Sequence, residues 1–190
     1  TALQDTPGII IDIRANFGGA DSTAADFNGY FLQGNKVFYE SIWMPKFGIT
    51  QTLWTNPMSP SYAKPVVVLI NRGVISLGEG IAKGFRGLPR SRSQIVGFEG
   101  TSGSFGMVGA KIVFPGDLVL EYPHGRSLGA DKQIQIDSNS ELQGGVLPTV
   151  LIPRNSTNLI KFIEGQVQGG SPDIELDHAV AELSKLITHR

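Results

Sequence analysis

KPVVVLINRGVISLGEGIAKGF, residues Lys64 to Phe85, reads as strand, turn and helix in direct succession. Pro65 to Ile70 is a run of aliphatic residues without alternation, which suits a strand buried on both faces of a sheet. Asn71 and Gly73 tolerate the angles of a tight turn. A helix is predicted from near Ser76 to about Phe85, closed by Gly84, Gly87 and Pro89. Ser76 is therefore expected among the unpaired N–H groups at the positive end of a helix dipole. Donors of that kind can stabilise an oxyanion, which makes Ser76 a candidate nucleophile. Ser76-Leu-Gly-Glu79 is equally a capping box, the serine capping and the glutamate reaching back. The two roles are compatible, since the rotamer decides which one the hydroxyl serves.

Upstream, Gly8 to Arg14 (GIIIDIR) fits a central strand. It runs into Arg14-Ala-Asn-Phe-Gly-Gly19-Ala-Asp21, where two glycines allow a turn with exposed N–H groups. A plain strand-to-helix turn, with Asp21 or Ser22 capping the next helix, is the simpler reading of the same residues. Ser22 to Leu32 has helical spacing in Ala24, Phe27, Tyr30 and Phe31, with Gly34 as its stop. Lys36 to Trp43 is predicted as a strand. Pro45 to Pro60 is a proline-bearing connection with a short strand at Ile49 to Trp54, its aromatics expected to pack over the core or, where exposed, to line a groove.

Downstream, Ser93 to Gly97 is a further strand leading into a glycine-rich loop that ends at Gly106. The loop lacks the Gly-Lys-Ser/Thr ending of a phosphate-binding loop. Lys111 to Phe114 and Leu118 to Tyr122 read as a hairpin turning at Pro115-Gly-Asp117. Leu128 to Ile136 is short strand or loop, Glu141 to Pro148 a turn region, and Thr149 to Ile152 a short extended run. Asp173 to Ile187 is the last predicted helix, its early acids suiting the dipole. The alternation of strands and helices predicts an α/β domain with a mainly parallel sheet and an added β-hairpin region. No internal repeat is visible.

Composition narrows the function classes. The 190 residues are 41% hydrophobic and 17% charged, the balance of one globular domain. Sixteen basic against 17 acidic residues give a net charge of −1, which argues against nucleic acid as the main partner. No apolar run is long enough to span a bilayer. Cysteine is absent, which excludes disulfides, thiolate metal sites and a cysteine nucleophile. No histidine pair has metal-ligand spacing, and neither metal nor cofactor is expected. The chain starts without Met and runs almost straight into a strand, so it reads as a core domain lacking an N-terminal part of a longer protein.

Several of these segments, in this order, resemble the core domain of the C-terminal processing (tail-specific) serine peptidases and their tricorn relatives. Ile9 to Gly19, IIIDIRANFGG, is similar to that family's strand and Arg-x-Asn-Pro-Gly-Gly turn, with Phe17 in the place of proline. Asn71 to Glu79, NRGVISLGE, resembles the nucleophile segment, and Val96 to Gly103, VGFEGTSG, the Val-Gly-Glu-x-Thr-x-Gly loop with one residue inserted. Gly145-Val-Leu-Pro148 and the last helix resemble the closing segment. The resemblance implies a ClpP/crotonase-like core of repeated β-β-α units and hydrolysis of peptide bonds in a peptide or protein substrate, often near its C-terminus. It implies Ser76 as nucleophile, with the N–H of Leu77 and that of Gly19 or Gly18 as oxyanion hole. It also suggests an exported, periplasmic or extracellular setting, and leaves an oligomer open.

The chain departs from the tail-specific pattern at the base. The lysine expected after the Thr-x-Gly loop is replaced by Ser104, and Lys111 is expected to face water from a strand. A Thr-x-Gly loop without lysine is closer to the tricorn branch. There a histidine upstream of the first segment acts as base, supported by a glutamate near Gly-Val-x-Pro. Glu141 is the acidic residue nearest that place. His124, His178 and His189 are expected to be packed or exposed, and Asp12 with Arg14 to form a structural pair. Two other readings keep the fold: a retired member that binds peptide or an apolar ligand, and an acyl-CoA enzyme of the crotonase type.

Overall fold

The computed structural model describes residues 2–106, 108–138, 144–167 and 172–189. After a 3₁₀ turn at Ala2–Asp5, the elements in chain order are β1 (Ile9–Asp12), α1 (Asp21–Gly29), β2 (Val37–Met44), β3 (Gly48–Thr55), β4 (Val66–Leu69), α2 (Leu77–Arg86), β5 (Ser93–Gly97), β6 (Val108–Val113), β7 (Val119–Leu128), β8 (Val150–Leu151), α3 (Ser156–Val167) and α4 (Ile174–Thr188). They form two four-stranded sheets. One is parallel in the order β1-β4-β5-β8, the other antiparallel in the order β3-β2-β7-β6.

The parallel sheet is the centre of the molecule because β4 has no polar face. Val66, Val67, Val68 and Leu69 are all fully buried. Side chains alternate across a strand, so each face receives every second residue. Val66, Val68 and Ile70 pack with residues of α1 and α2, among them Ala24, Ala25, Ile81, Ala82 and Phe85. Val67 and Leu69 pack with Val96, Ile174 and Ala179 on the other face. Burying each such side chain stabilises the fold by about 1.5–3 kcal/mol. The uninterrupted aliphatic run is the sequence trace of this sandwiching.

The expectation of a mainly parallel sheet needs correcting: half of the strands are antiparallel. β2 pairs with β3 and, through Ser41 to Trp43, with the far end of β7. The predicted hairpin is therefore one arm of a second sheet. Long-range pairing of β2 with β7 leaves no local pattern, whereas the turn at Pro115 to Asp117 does. One boundary and one element also differ from expectation. α1 ends at Gly29 rather than Leu32, because the N–H groups of Tyr30, Phe31 and Leu32 turn to i−3 carbonyls and tighten the last turn. α3 was not anticipated, although Asn155 caps it through its Oδ1 and the Asn158 N–H, 2.9 Å.

α4 is tied to the sheet by one cation. Arg14 pairs with Asp12 at 2.7 Å, with Asp173 at 2.7 Å and with Glu175 at 3.0 Å. The hydrogen bonds to Asp173 and then Asp12 push the guanidinium pKa up, and Arg14 in turn holds Asp173 below the usual carboxylate range. Asp173 also caps α4 by accepting from the Leu176 N–H at 3.0 Å. The Glu175 side chain is only 5% exposed. Removing its partner leaves a buried carboxylate uncompensated, so Arg14→Ala is expected to cost about 3 kcal/mol. Arg14→Lys should recover only part of this, because an ammonium cannot fork to three carboxylates. Urea unfolding midpoints of the two variants measure it; an unchanged midpoint in Arg14→Ala would show the clamp to be idle.

Candidate active site

Strand order brings three loops together. β1, β4 and β5 are successive neighbours in a parallel sheet, so the chain leaves all three at the same edge. The turns after β1 and β4 are then stitched to each other. Asn71 Oδ1 accepts from the N–H groups of Ala15 (3.1 Å) and Gly73 (3.0 Å). The Ile75 N–H donates to the Asn16 carbonyl at 2.9 Å, and Asn16 Oδ1 accepts from the Gly18 N–H at 3.0 Å.

These bonds carry the Gly18–Gly19 turn onto Ser76. Gly18 has φ +108°, and a Cβ there would lie 2.9 Å from Ser76 Cβ and 3.4 Å from its Oγ. A Cβ on Gly19 would meet Leu77 Cδ1 at 3.2 Å. The approach thus requires both the conformational freedom and the missing side chain of glycine. The structure brings Ser76, Gly18, Gly19 and Leu77 into one small volume. Two details refine it. The Gly18 N–H is taken by Asn16, whereas among the described residues the N–H groups of Gly19 and Leu77 have no hydrogen-bond partner. Phe17, standing where the resembled pattern has proline, is 77% exposed at the rim.

Ser76 itself has φ 53° and ψ −119°. Those angles are those of the first central residue of a type II′ turn, a place dominated by glycine. A non-glycine residue held there stores about 1–3 kcal/mol of strain and persists only when its surroundings over-determine it. The surroundings here centre on Glu79, which is fully buried. Its Oε2 accepts from the N–H groups of Ser76 (3.1 Å) and Ser104 (2.9 Å). Its Oε1 accepts from Thr101 Oγ1 (2.7 Å) and the Gly103 N–H (2.6 Å). The capping box is present, but the hydroxyl half falls short of hydrogen-bond geometry; the Glu79 N–H goes to the Ser76 carbonyl at 2.9 Å.

Thr101 passes the link onward. Its Oγ1 accepts from the Val146 N–H at 2.7 Å, and its own N–H donates to the Val146 carbonyl at 3.2 Å. The Ser102 N–H donates to the Val74 carbonyl at 2.9 Å. All the segments quoted from the sequence therefore meet at this edge. Asn71 is the turn residue the sequence predicts, but its bond to Ala15 and the roles of Asn16 and Thr101 have no local signal beyond a short polar residue at a turn. Beside the Asn71–Ser76 turn runs a groove of about 800 Å³, lined by Arg72, Phe98, Glu99, Leu147, Leu151 and Arg154 among others.

The remaining candidates lie elsewhere. Glu141 falls outside the described residues. Lys111 is 69% exposed on β6 and paired with Glu121 at 2.7 Å. His124 lies edge-on to Tyr122 on β7, His178 lies on α4, and His189 follows α4's end. Asp12 and Arg14 form the structural pair expected of them. Among the described residues no group of three or more His, Cys, Asp or Glu could hold a metal ion. Among the same residues no helix is long and apolar enough to cross a membrane.

Residues 1–152 match the model of Peptidase family S41. Among solved structures, the photosystem II D1 C-terminal processing protease is similar over 92% of this chain and 41% of its own, at TM-score 0.60 and 22% identity. Mature CPAF complexed with lactacystin is similar over 97% of this chain and 45% of its own, at TM-score 0.68 and 14% identity. The tricorn protease is similar over 95% of this chain and 15% of its own, at TM-score 0.60 and 18% identity. At these identities the likeness is one of fold. The chain spans less than half the length of each of these proteins.

The Glu79 hub has a measurable weight. In Glu79→Gln the carboxamide presents a donor to groups that are themselves donors, leaving at least one buried N–H unpaired. The expected cost is about 2–4 kcal/mol in denaturant unfolding. Faster amide exchange at Gly103 and Ser104 should accompany it; exchange at wild-type rates would show that these bonds do not hold the loop.

Proposed function

The chain belongs to Peptidase family S41, and from that premise we propose that Ser76 is the nucleophile of a serine peptidase acting on peptide or protein substrates. The observation that carries this reading is the strained backbone of Ser76, packed against Gly18. A sharp strand-to-helix turn at unfavourable angles lifts a serine hydroxyl clear of its own helix. The N–H groups of Leu77 and Gly19 are the oxyanion donors in this reading, aimed where charge develops on the substrate carbonyl. Their lack of other partners supports the assignment.

The serine hydroxyl attacks the scissile carbonyl, the two amides take the negative charge of the tetrahedral intermediate, and collapse expels the amine. A general base must accept the hydroxyl proton, and no described histidine or exposed lysine stands beside Ser76. We assign that role to a group outside the described residues, with Glu141 as its supporting acid. The groove bordered by Arg72 and Arg154 is where we seat the substrate chain, and a preference for cleavage near C-termini follows from the resemblance. We also class the core with the ClpP and crotonase type, a reading supported by parallel strands that return through helices and antiparallel excursions. Strain retained at Ser76 weighs against a retired, ligand-binding member, for which the same angles would be a cost without return.

A fluorophosphonate probe tests the proposal. Wild-type protein is expected to label at Ser76, and Ser76→Ala to lose the label. Gly18→Ala, whose Cβ would crowd Ser76, is expected to slow labelling by about 10²-fold while circular dichroism stays unchanged. Labelling at another serine, or persistence in Ser76→Ala, would overturn the assignment.

A further inference from the structure

A second polar cluster lies behind the Gly18–Gly19 turn, and the peptidase reading makes no use of it. Asp21 opens α1, two residues beyond Gly19. Glu40 on β2 is fully buried. The two carboxyls are close enough that each shifts the other's proton affinity. Yet Asp21 Oδ1 and Glu40 Oε1 are both buried without a donor. Two carboxylates cannot both ionise at such range out of water. A single proton between the orphaned oxygens satisfies both at once.

We propose that Asp21 and Glu40 share one proton, and that this acid pair is the positioning device that holds the Gly18–Gly19 turn against Ser76. It deepens the peptidase reading, since Gly19 matters as an oxyanion donor only there. Three features support it. The front of the turn is fixed by Asn16 and Asn71, whereas at its rear Ala20, the N-cap of α1, gives no side-chain cap. Asp21 belongs at a helix N-terminus as the anion, which leaves the proton on Glu40. Glu40 is locked in place from the other side. Ser127 Oγ donates to its Oε2 at 2.6 Å, and a Cβ on Gly106 would come within 3.1 Å of the same oxygen.

The groups facing the pair come from every element packed on it. Lys83 on α2 donates to the Tyr39 carbonyl and to Gln135 Oε1, each at 2.5 Å. Gln135 Nε2 donates to Ser127 Oγ at 2.7 Å. The buried Tyr39 hydroxyl has no partner, and burial pushes its pKa up. Burial pushes Glu40 up to about 7 and Asp21 upward as well, and lowers Lys83 to about 8. Glu40 therefore loses its proton near neutrality, while Lys83 is still mostly charged. For an acid raised from 4.5 to about 7, the contribution to stability is complete below about 4.5, fades as pH rises, and is gone above about 7.

The test follows the proton and the turn separately. Infrared spectra of the wild type near pH 6 should show a protonated carboxyl band that Glu40→Gln lacks and that Asp21→Asn, which keeps the buried Glu40 acid but loses its charged partner, shows shifted in frequency. The Gly18 and Gly19 amide resonances should titrate with a midpoint near about 7 in wild type and stay still in Glu40→Gln. Fluorophosphonate labelling of Ser76 should fall at least about threefold from pH 7 to pH 9 in wild type, and hold level in Glu40→Gln, whose amide keeps both hydrogen bonds. Absence of the band, or amides that titrate alike in Glu40→Gln and wild type, overturns the proposal. If the band and the amide titration appear as expected but Ser76 never labels, the acid pair stands and the peptidase reading fails.

Discussion

One buried carboxylate fixes the geometry on which the site depends. Glu79 accepts four hydrogen bonds, three from backbone amides and one from Thr101. Burying a charged carboxylate is expensive unless its lone pairs are filled. Here they are filled by two separate parts of the chain, the start of α2 and residues 101–104. The helix N-terminus supplies a favourable field as well. Neither part can shift without stranding the charge, so the loop after β5 and the turn after β4 behave as one body. Thr101 extends that body to Val146 and hence to the segment before β8.

The two sheets divide the work. The parallel sheet sets where the loops emerge, because β1, β4 and β5 are neighbours running the same way. The antiparallel sheet closes the other side of α1 and α2. Tyr39 on β2 packs edge-on to Phe105 at 5.8 Å, and its hydroxyl occupies the space a side chain at Gly80 would need. That contact places β2 over α2 one turn below Ser76. It also buries Glu40, and so puts an acid from the second sheet beside the helix that follows the Gly18–Gly19 turn. The site edge is thus gripped from below by the parallel core and from behind by the antiparallel one.

Much of this was legible in the residues. The aliphatic run of β4, the twin glycines and Ser76-Leu-Gly-Glu79 each predicted a local strand, turn or helix start that is found; the edge at which they meet comes from the strand order. The second sheet was not legible, because the β2–β7 pairing joins residues some 85 positions apart and such pairings write no local period. α3 escaped for a different reason: its apolar residues stay largely exposed, Ile160 at 55% and Ile163 at 60%, so no buried stripe drew attention to its cap. The stitching by Asn16, Asn71 and Thr101 is invisible in sequence because it depends on tertiary approach. So does the acid pair: Asp21 reads as an ordinary helix-start acid and Glu40 as the polar face of a strand.

Sequence alone could not separate a capping serine from one held out for chemistry, because both begin a helix and both precede glutamate by three residues. The backbone angles bear on the proposal that Ser76 does the second. A serine that only caps sits in the extended region, where its oxygen reaches the third amide of the helix. Ser76 instead has φ 53°, and the Glu79 N–H turns to the Ser76 carbonyl. The cap's usual benefit, about 1 kcal/mol, is largely given up. Strain of similar or greater size is added in its place. Glu79 makes that exchange tolerable by holding the Ser76 N–H in the unfavourable conformation. A helix in need only of a stable start would gain from an extended Ser76, so the angles observed support the proposal that this hydroxyl serves chemistry.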